Sequence, residues 1–233
     1  MSYNIDGIEY PSVTTILGEL AKPALVQWSA NCAVDYMRDN LDAIQHPDGP
    51  HAAEHVLQNA RYAYRDASDK AKDIGTLVHK AIEQYIKHHA DVTATMPEQA
   101  QNGFLAFLDW EAKNHVQWLR SEVRTYHPVA GYAGTYDALA DINGHLYIVD
   151  FKTSKGVYDE YKYQLAAYLA AEQHHIALDA NLAVLRLDKE TGEPDFTDVS
   201  KGWQDKYEAF CALTDWYYLS KRRRLKNNPR VTR

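Results

Sequence analysis

The succession of hydrophobic patterns along the chain predicts an α/β (α+β) fold with an N-terminal helical elaboration. Helical periodicity dominates residues 1–117, strand patterns gather between residues 118 and 190, and an amphipathic helix follows over residues 202–221. No internal repeat and no linker divides the 233 residues. A single domain is therefore expected: a mostly helical part (1–117), a sheet core (118–190), and a C-terminal helix with a basic tail (200–233).

Taken in order, Ala21–Asn40 and Ala52–Tyr64 place apolar residues at spacings of three and four, with Pro11 and Pro23 punctuating the start. Gln45–His51, between them, is a turn-rich loop. Ser68–His88 is a stronger helix. Leu77, Val78, Ala81, Ile82, Tyr85 and Ile86 make its apolar stripe, and Gly75 is expected to interrupt or open it. Pro97 starts a further helix to about His115. Trp118–Tyr126 and Tyr132–Ile142 then read as strands, and Asn143-Gly144 is a tight-turn signal. His145–Phe151 follows, where Leu146, Tyr147, Ile148 and Val149 suit a strand buried on both faces. A helix (Tyr158–Gln173), a strand (Asn181–Leu187) and a last helix (Gly202–Lys221) complete the pattern.

Composition is that of an ordinary globular protein, 45% hydrophobic and 24% charged. No run approaches the roughly 18 apolar residues of a membrane span, and the N-terminus has neither a basic leader nor an apolar stretch. Cys32 and Cys211 lie far apart and form no C-x-x-C pair, which fits a reducing cytoplasm and argues against a zinc ribbon or disulfide framework. The net charge of −7 is uneven. Lys221, Arg222, Arg223, Arg224, Lys226, Arg230 and Arg233 crowd the last 13 residues without an acid, leaving −14 on residues 1–220. An acidic body still holds a polyanion if divalent cations neutralise its carboxylates.

The chemistry centres on the hairpin around Asn143-Gly144. Asp137 precedes Asn143 by six residues and Asp150 follows Gly144 by six. A two-residue turn makes them near-opposite partners, with β carbons about 5 Å apart. Carboxylates that close repel unless a positive charge lies between them, and hard divalent cations prefer oxygen ligands. Lys152, two residues after Asp150, shares its strand face and can orient a water or stabilise charge on an attacked phosphate. A D/E-x-K triplet alone arises about once or twice by chance in a chain this long. Glu111-Ala112-Lys113 and Glu160-Tyr161-Lys162 spell it too, in predicted helices without an opposed acid.

Four stretches stand in order: Gly75-Thr76-Leu77-Val78-His79-Lys80-Ala81-Ile82-Glu83, Gly134-Thr135-Tyr136-Asp137, Asp150-Phe151-Lys152-Thr153 and Gln164-Leu165-Ala166-Ala167-Tyr168. With them the sequence resembles the PD-(D/E)xK nuclease superfamily. Within it the sequence resembles the RecB-like, Cas4-like and phage-exonuclease branch, and it is also similar to the mitochondrial genome maintenance exonuclease. The resemblance covers roughly residues 75–168, with a weaker echo at Pro11–Leu17. The resemblance implies a restriction-endonuclease-like core, a central mixed sheet flanked by helices. It implies a DNA exonuclease using Mg²⁺ or Mn²⁺, held by His79, Asp137, Asp150 and the carbonyl of Phe151. Lys152 is then the catalytic lysine, and Gln164 and Tyr168 are nucleic-acid contacts. Cas4 members hold an iron–sulfur cluster with cysteines. Cys32 and Cys211 alone do not suffice for one, so none is expected. Helicase domains are absent, so unwinding falls to a helicase or recombinase partner.

Each residue has a plainer reading. Asp137 and Asp150 flank a turn and can pair with Lys152 in a solvated salt bridge. A lone histidine on an apolar helix is more often a core residue than a ligand. Glu83, one turn beyond His79, orients it or pairs with Lys80 or Lys87. Gln58-x-x-x-Tyr62 repeats the Gln164/Tyr168 spacing without a preceding D-x-K strand. The basic tail is also a natural charge cluster after a helix C-terminus.

Overall fold

The computed structural model describes residues 2–45, 51–90 and 93–221. Residues 46–50 of the turn-rich loop and the basic tail after Lys221 lie outside them.

The chain opens on a hairpin that periodicity does not reveal. β1 (Ser2–Ile5) and β2 (Ile8–Pro11) pair antiparallel through Asp6 and Gly7, at φ 51° and 79°. Both strands are four residues long, too short for a periodic signal. Ser12 then caps α1 (Val13–Leu17), its hydroxyl accepting the Thr15 N–H at 3.0 Å, and Val13, Ile16 and Leu17 enter the core. The Pro11–Leu17 segment is thus a strand end, a cap and one buried helical turn.

Packing divides the chain into two compact units, Leu20–Thr76 and the remainder. The smaller is helical: α2 (Pro23–Asp39), α3 (Leu41–Gln45), α4 (Ala52–Ala60) and the first half of α5 (Ala63–His88), with α4 packed on α2 and α3. α5 neither breaks nor begins at Gly75. One glycine costs only about 1 kcal/mol in a helix, less than its flanking turns supply.

The larger unit is built on five strands. After α6 (Glu98–Lys113) come β3 (Val116–His127), β4 (Tyr132–Ile142) and β5 (His145–Lys152). α7 (Asp159–His175), β6 (Asn181–Leu187), β7 (Pro194–Asp198) and α8 (Trp203–Lys221) follow. The sheet order is β3-β4-β5-β6-β7; β5 and β6 are parallel and all other neighbours antiparallel. α7 is the crossover that a parallel pair requires. Asn143 and Gly144 turn the β4–β5 hairpin at φ 54° and 82°, both in the left-handed region that a two-residue turn needs. β7 escapes a reading by pattern because Pro194-Asp195-Phe196-Thr197-Asp198 is polar and starts on proline, as edge strands tolerate.

Helices cover both faces of this sheet. α7 lies against β3, β4, β5 and β6 and is itself covered by α1 and α8, so Gln164–Glu172 are buried without a break. α6 lies against β6 and β7. Its Phe107 meets Phe151 edge-on at 5.7 Å, and its Trp110 stacks on Phe196 at 5.2 Å. Phe151 thus points to α6 while its neighbours Asp150 and Lys152 reach Gln164 of α7, as alternating strand side chains must. This is the mixed sheet flanked by helices of a restriction-endonuclease-like fold. Among the described residues no helix is long and apolar enough to cross a membrane.

Candidate active site

The β4–β5 ladder runs from Ile142↔His145 to Ala138↔Val149 and ends there. β4 nevertheless continues alongside β3 to Tyr132, and β5 alongside β6 to Lys152. The two central strands therefore fork, and Asp137 and Asp150 stand one register step inside the fork. The Phe151 N–H donates to Asp137 Oδ2 at 2.7 Å.

Each carboxylate has its own partners. Asp137 Oδ1 lies 3.4 Å from His79 Nδ1 on α5, and the His79 ring meets Phe151 edge-on. Asp150, 1% exposed, is turned toward α7: its Oδ1 accepts from Gln164 Nε2 at 3.1 Å, and its Oδ2 lies 2.6 Å from Lys152 Nζ. That Oδ2 is shielded from solvent and has the ion pair without a well-directed hydrogen bond. Lys152 Nζ also faces Gln164 Oε1 at 3.4 Å and lies 4.8 Å from the centre of the Tyr161 ring.

Burial and charge set the protonation states. Burial pushes the Asp150 carboxyl up to about 6, with Asp137 adding to the rise and Lys152 opposing it. Burial also works against ionised Asp137, but His79 and Lys152 outweigh it and hold that carboxyl below its ordinary value. Burial opposes the charge on Lys152 too, and Asp150 with Asp137 overcomes it, so the lysine holds its proton more tightly than usual. His79 is likewise raised, Asp137 overriding its desolvation. Two acids and two bases thus interlock.

The structure brings His79 to Asp137, and Lys152 and Gln164 to Asp150. Among the described residues it converges no three histidine, cysteine or carboxylate side chains into a ready-made metal cage. The chemistry of the donors still fits a hard divalent cation: two carboxylates, one imidazole and the Phe151 carbonyl, with Asp150 Oδ2 held by the Lys152 ammonium. Gln164 and Tyr168 are 8% and 2% exposed. Glu83 pairs with Lys87 at 2.6 Å.

Glu122 has a distinct geometry. In β3 it falls between Ser121↔Ala138 and Val123↔Tyr136, hence across from Asp137, and it holds φ 54°. Positive φ in a non-glycine residue stores roughly 1–3 kcal/mol of strain, which sequence does not display. Burial, Asp137 and Glu83 together raise its carboxyl. Gly134 carries a second hidden role, since a Cβ there would lie 2.5 Å from Tyr168 Cε1.

A family model described as the PD-(D/E)XK nuclease superfamily matches residues 50–212. No curated protein matches the chain. The family match spans well over half of the sequence, and the forked sheet with its paired aspartates and lysine lies within it. The chain belongs to the PD-(D/E)XK nuclease superfamily.

Proposed function

We propose that this chain is a divalent-metal-dependent deoxyribonuclease that digests DNA from its ends, akin to the RecB-like, Cas4-like and phage-exonuclease branch, and serves DNA processing or recombination. The observation that carries the chemistry is the fork itself: Asp137 and Asp150 on diverging strands, with Lys152 Nζ 2.6 Å from Asp150. His79, Asp137, Asp150 and the Phe151 carbonyl would hold Mg²⁺ or Mn²⁺. When bound, such an ion supplies Lewis-acid polarisation of the phosphate and a more acidic water. Lys152, kept protonated by Asp150 and Asp137, presents a fixed positive charge where the attacked phosphate gains negative charge. Any unwinding is assigned to a helicase or recombinase partner.

The test digests end-labelled linear DNA and closed circular single-stranded DNA with Mg²⁺, Mn²⁺ or EDTA. Wild type should degrade the linear strand with either metal, spare the circle, and stop in EDTA. Asp150→Ala and Lys152→Ala should each lose about 100- to 1,000-fold in rate while staying folded. Cleavage of the circle would make it an endonuclease. DNA binding without cleavage in any metal would make it a silent binding module.

A further inference from the structure

Gln164 and Tyr168 carry the spacing expected of DNA contacts, but their surroundings give them other work. We infer that both are positioning residues: Gln164 fixes Asp150 and Lys152 relative to each other, and Tyr168 fixes Gln164. This rests on the reading above that Asp150 and Lys152 carry out cleavage.

Every polar atom of the Gln164 amide is engaged. Nε2 has two hydrogens; it donates to Asp150 Oδ1 at 3.1 Å and to the Tyr168 hydroxyl at 3.2 Å. Oε1 faces the Lys152 ammonium at 3.4 Å. A flipped amide would aim its NH₂ at the ammonium and its oxygen at the carboxylate, both repulsive, so the observed orientation is the favourable one. No N–H is left over for a phosphate. At 8% and 2% exposure neither side chain offers a surface on which a base could stack or a phosphate settle.

Tyr168 in turn has one place to be. Its ring lies 6.1 Å from that of Tyr136 and fills the space above Gly134, where a Cβ would stand 2.5 Å away. The four-residue spacing puts Gln164 and Tyr168 on one face of α7, so the buried phenol can accept the second amide hydrogen. The consequence reaches the chemistry. With Oδ1 of Asp150 occupied by Gln164, Oδ2 is the oxygen left to Lys152.

The experiment measures kcat and KM on single-stranded oligonucleotides, together with the Kd for DNA in EDTA and the melting temperature. The proteins are wild type, Gln164→Ala, Gln164→Glu, Tyr168→Phe and Lys152→Ala. Positioning predicts that Gln164→Ala and Gln164→Glu lower kcat about 10- to 100-fold, with KM and Kd within twofold of wild type. Tyr168→Phe keeps the ring and removes only the acceptor, so it should lower kcat less, again without changing KM. A rise in KM and Kd at unchanged kcat would overturn the inference and restore the DNA-contact role. Tyr168→Phe decides the matter even if Gln164→Ala lowers the melting temperature. Lys152→Ala separates the two levels: if it cleaves as wild type, the catalytic reading itself fails. If it is inactive while the Gln164 variants change only KM, this inference alone fails.

Discussion

Gly134 and Tyr168 are complementary in shape: the glycine lacks a side chain where the tyrosine ring passes, and a Cβ would approach Cε1 to 2.5 Å. The ring is 2% exposed and backed by Tyr136, so it cannot swing aside cheaply. The glycine three residues before Asp137 is thus a packing requirement of the helix behind the fork.

Gly134→Ala should therefore overpack the β4–α7 contact and lower stability by about 1–3 kcal/mol. It should also slow cleavage by disturbing Gln164. Denaturant unfolding and single-turnover rates measure the two effects, and an alanine variant with wild-type stability and rate would refute the packing argument.

The pH dependence of stability should carry the mark of Asp150. Its folded carboxyl sits at about 6 against an ordinary 3.8, so the unfolded chain ionises first. The stability this group contributes is fully present below about 3.8 and is lost as pH rises through about 6. Asp137 runs the other way: held low by His79 and Lys152, it contributes stability above its ordinary value that is lost as pH falls. In EDTA, Asp150→Asn should gain melting temperature relative to wild type as the pH is raised from about 4 to about 7. A difference that stays flat across that window would contradict the raised carboxyl.

Metal preference tests His79. Imidazole suits Mn²⁺ better than Mg²⁺, so Mn²⁺ should support equal or greater activity, and His79→Ala should lose more with Mn²⁺ than with Mg²⁺. Activity in Mg²⁺ that Mn²⁺ abolishes would count against His79 as a ligand.

Glu111-Ala112-Lys113 provides an internal control, because it spells the same triplet as Asp150-Phe151-Lys152. Glu111 accepts from the Tyr85 hydroxyl and from Trp118 Nε1, each at 2.6 Å, and thereby ties α5, α6 and β3 together. Its hydrogen bond pushes the Tyr85 phenol up to about 12. Glu111→Ala should cost about 1–3 kcal/mol through two unsatisfied donors while leaving metal-dependent cleavage near wild type below the melting temperature. Loss of cleavage in a folded Glu111 variant would give this triplet a catalytic role it lacks the geometry for.

Much of this protein is legible in its sequence because the relevant physics is local. Asn143-Gly144 demands a two-residue turn, and counting outward from it carries Asp137 and Asp150 one step past the last β4–β5 pair, Ala138↔Val149. Apolar runs announced β5 and β6, and Asn181–Leu187 and Tyr132–Ile142 end where the sequence places them. Gly75, by contrast, marked no boundary, and β1, β2 and β7 passed unnoticed because short or polar strands exist only through their partners. What only the tertiary structure decided is how the side chains share their hydrogen bonds. Residues distant in sequence, such as Gly134 with Tyr168 or Glu122 across from Asp137, meet because the strands fork and α7 packs into place behind them. Spacing along a chain fixes which residues share a face; which partner each buried polar atom takes depends on the donors and acceptors that folding brings from elsewhere.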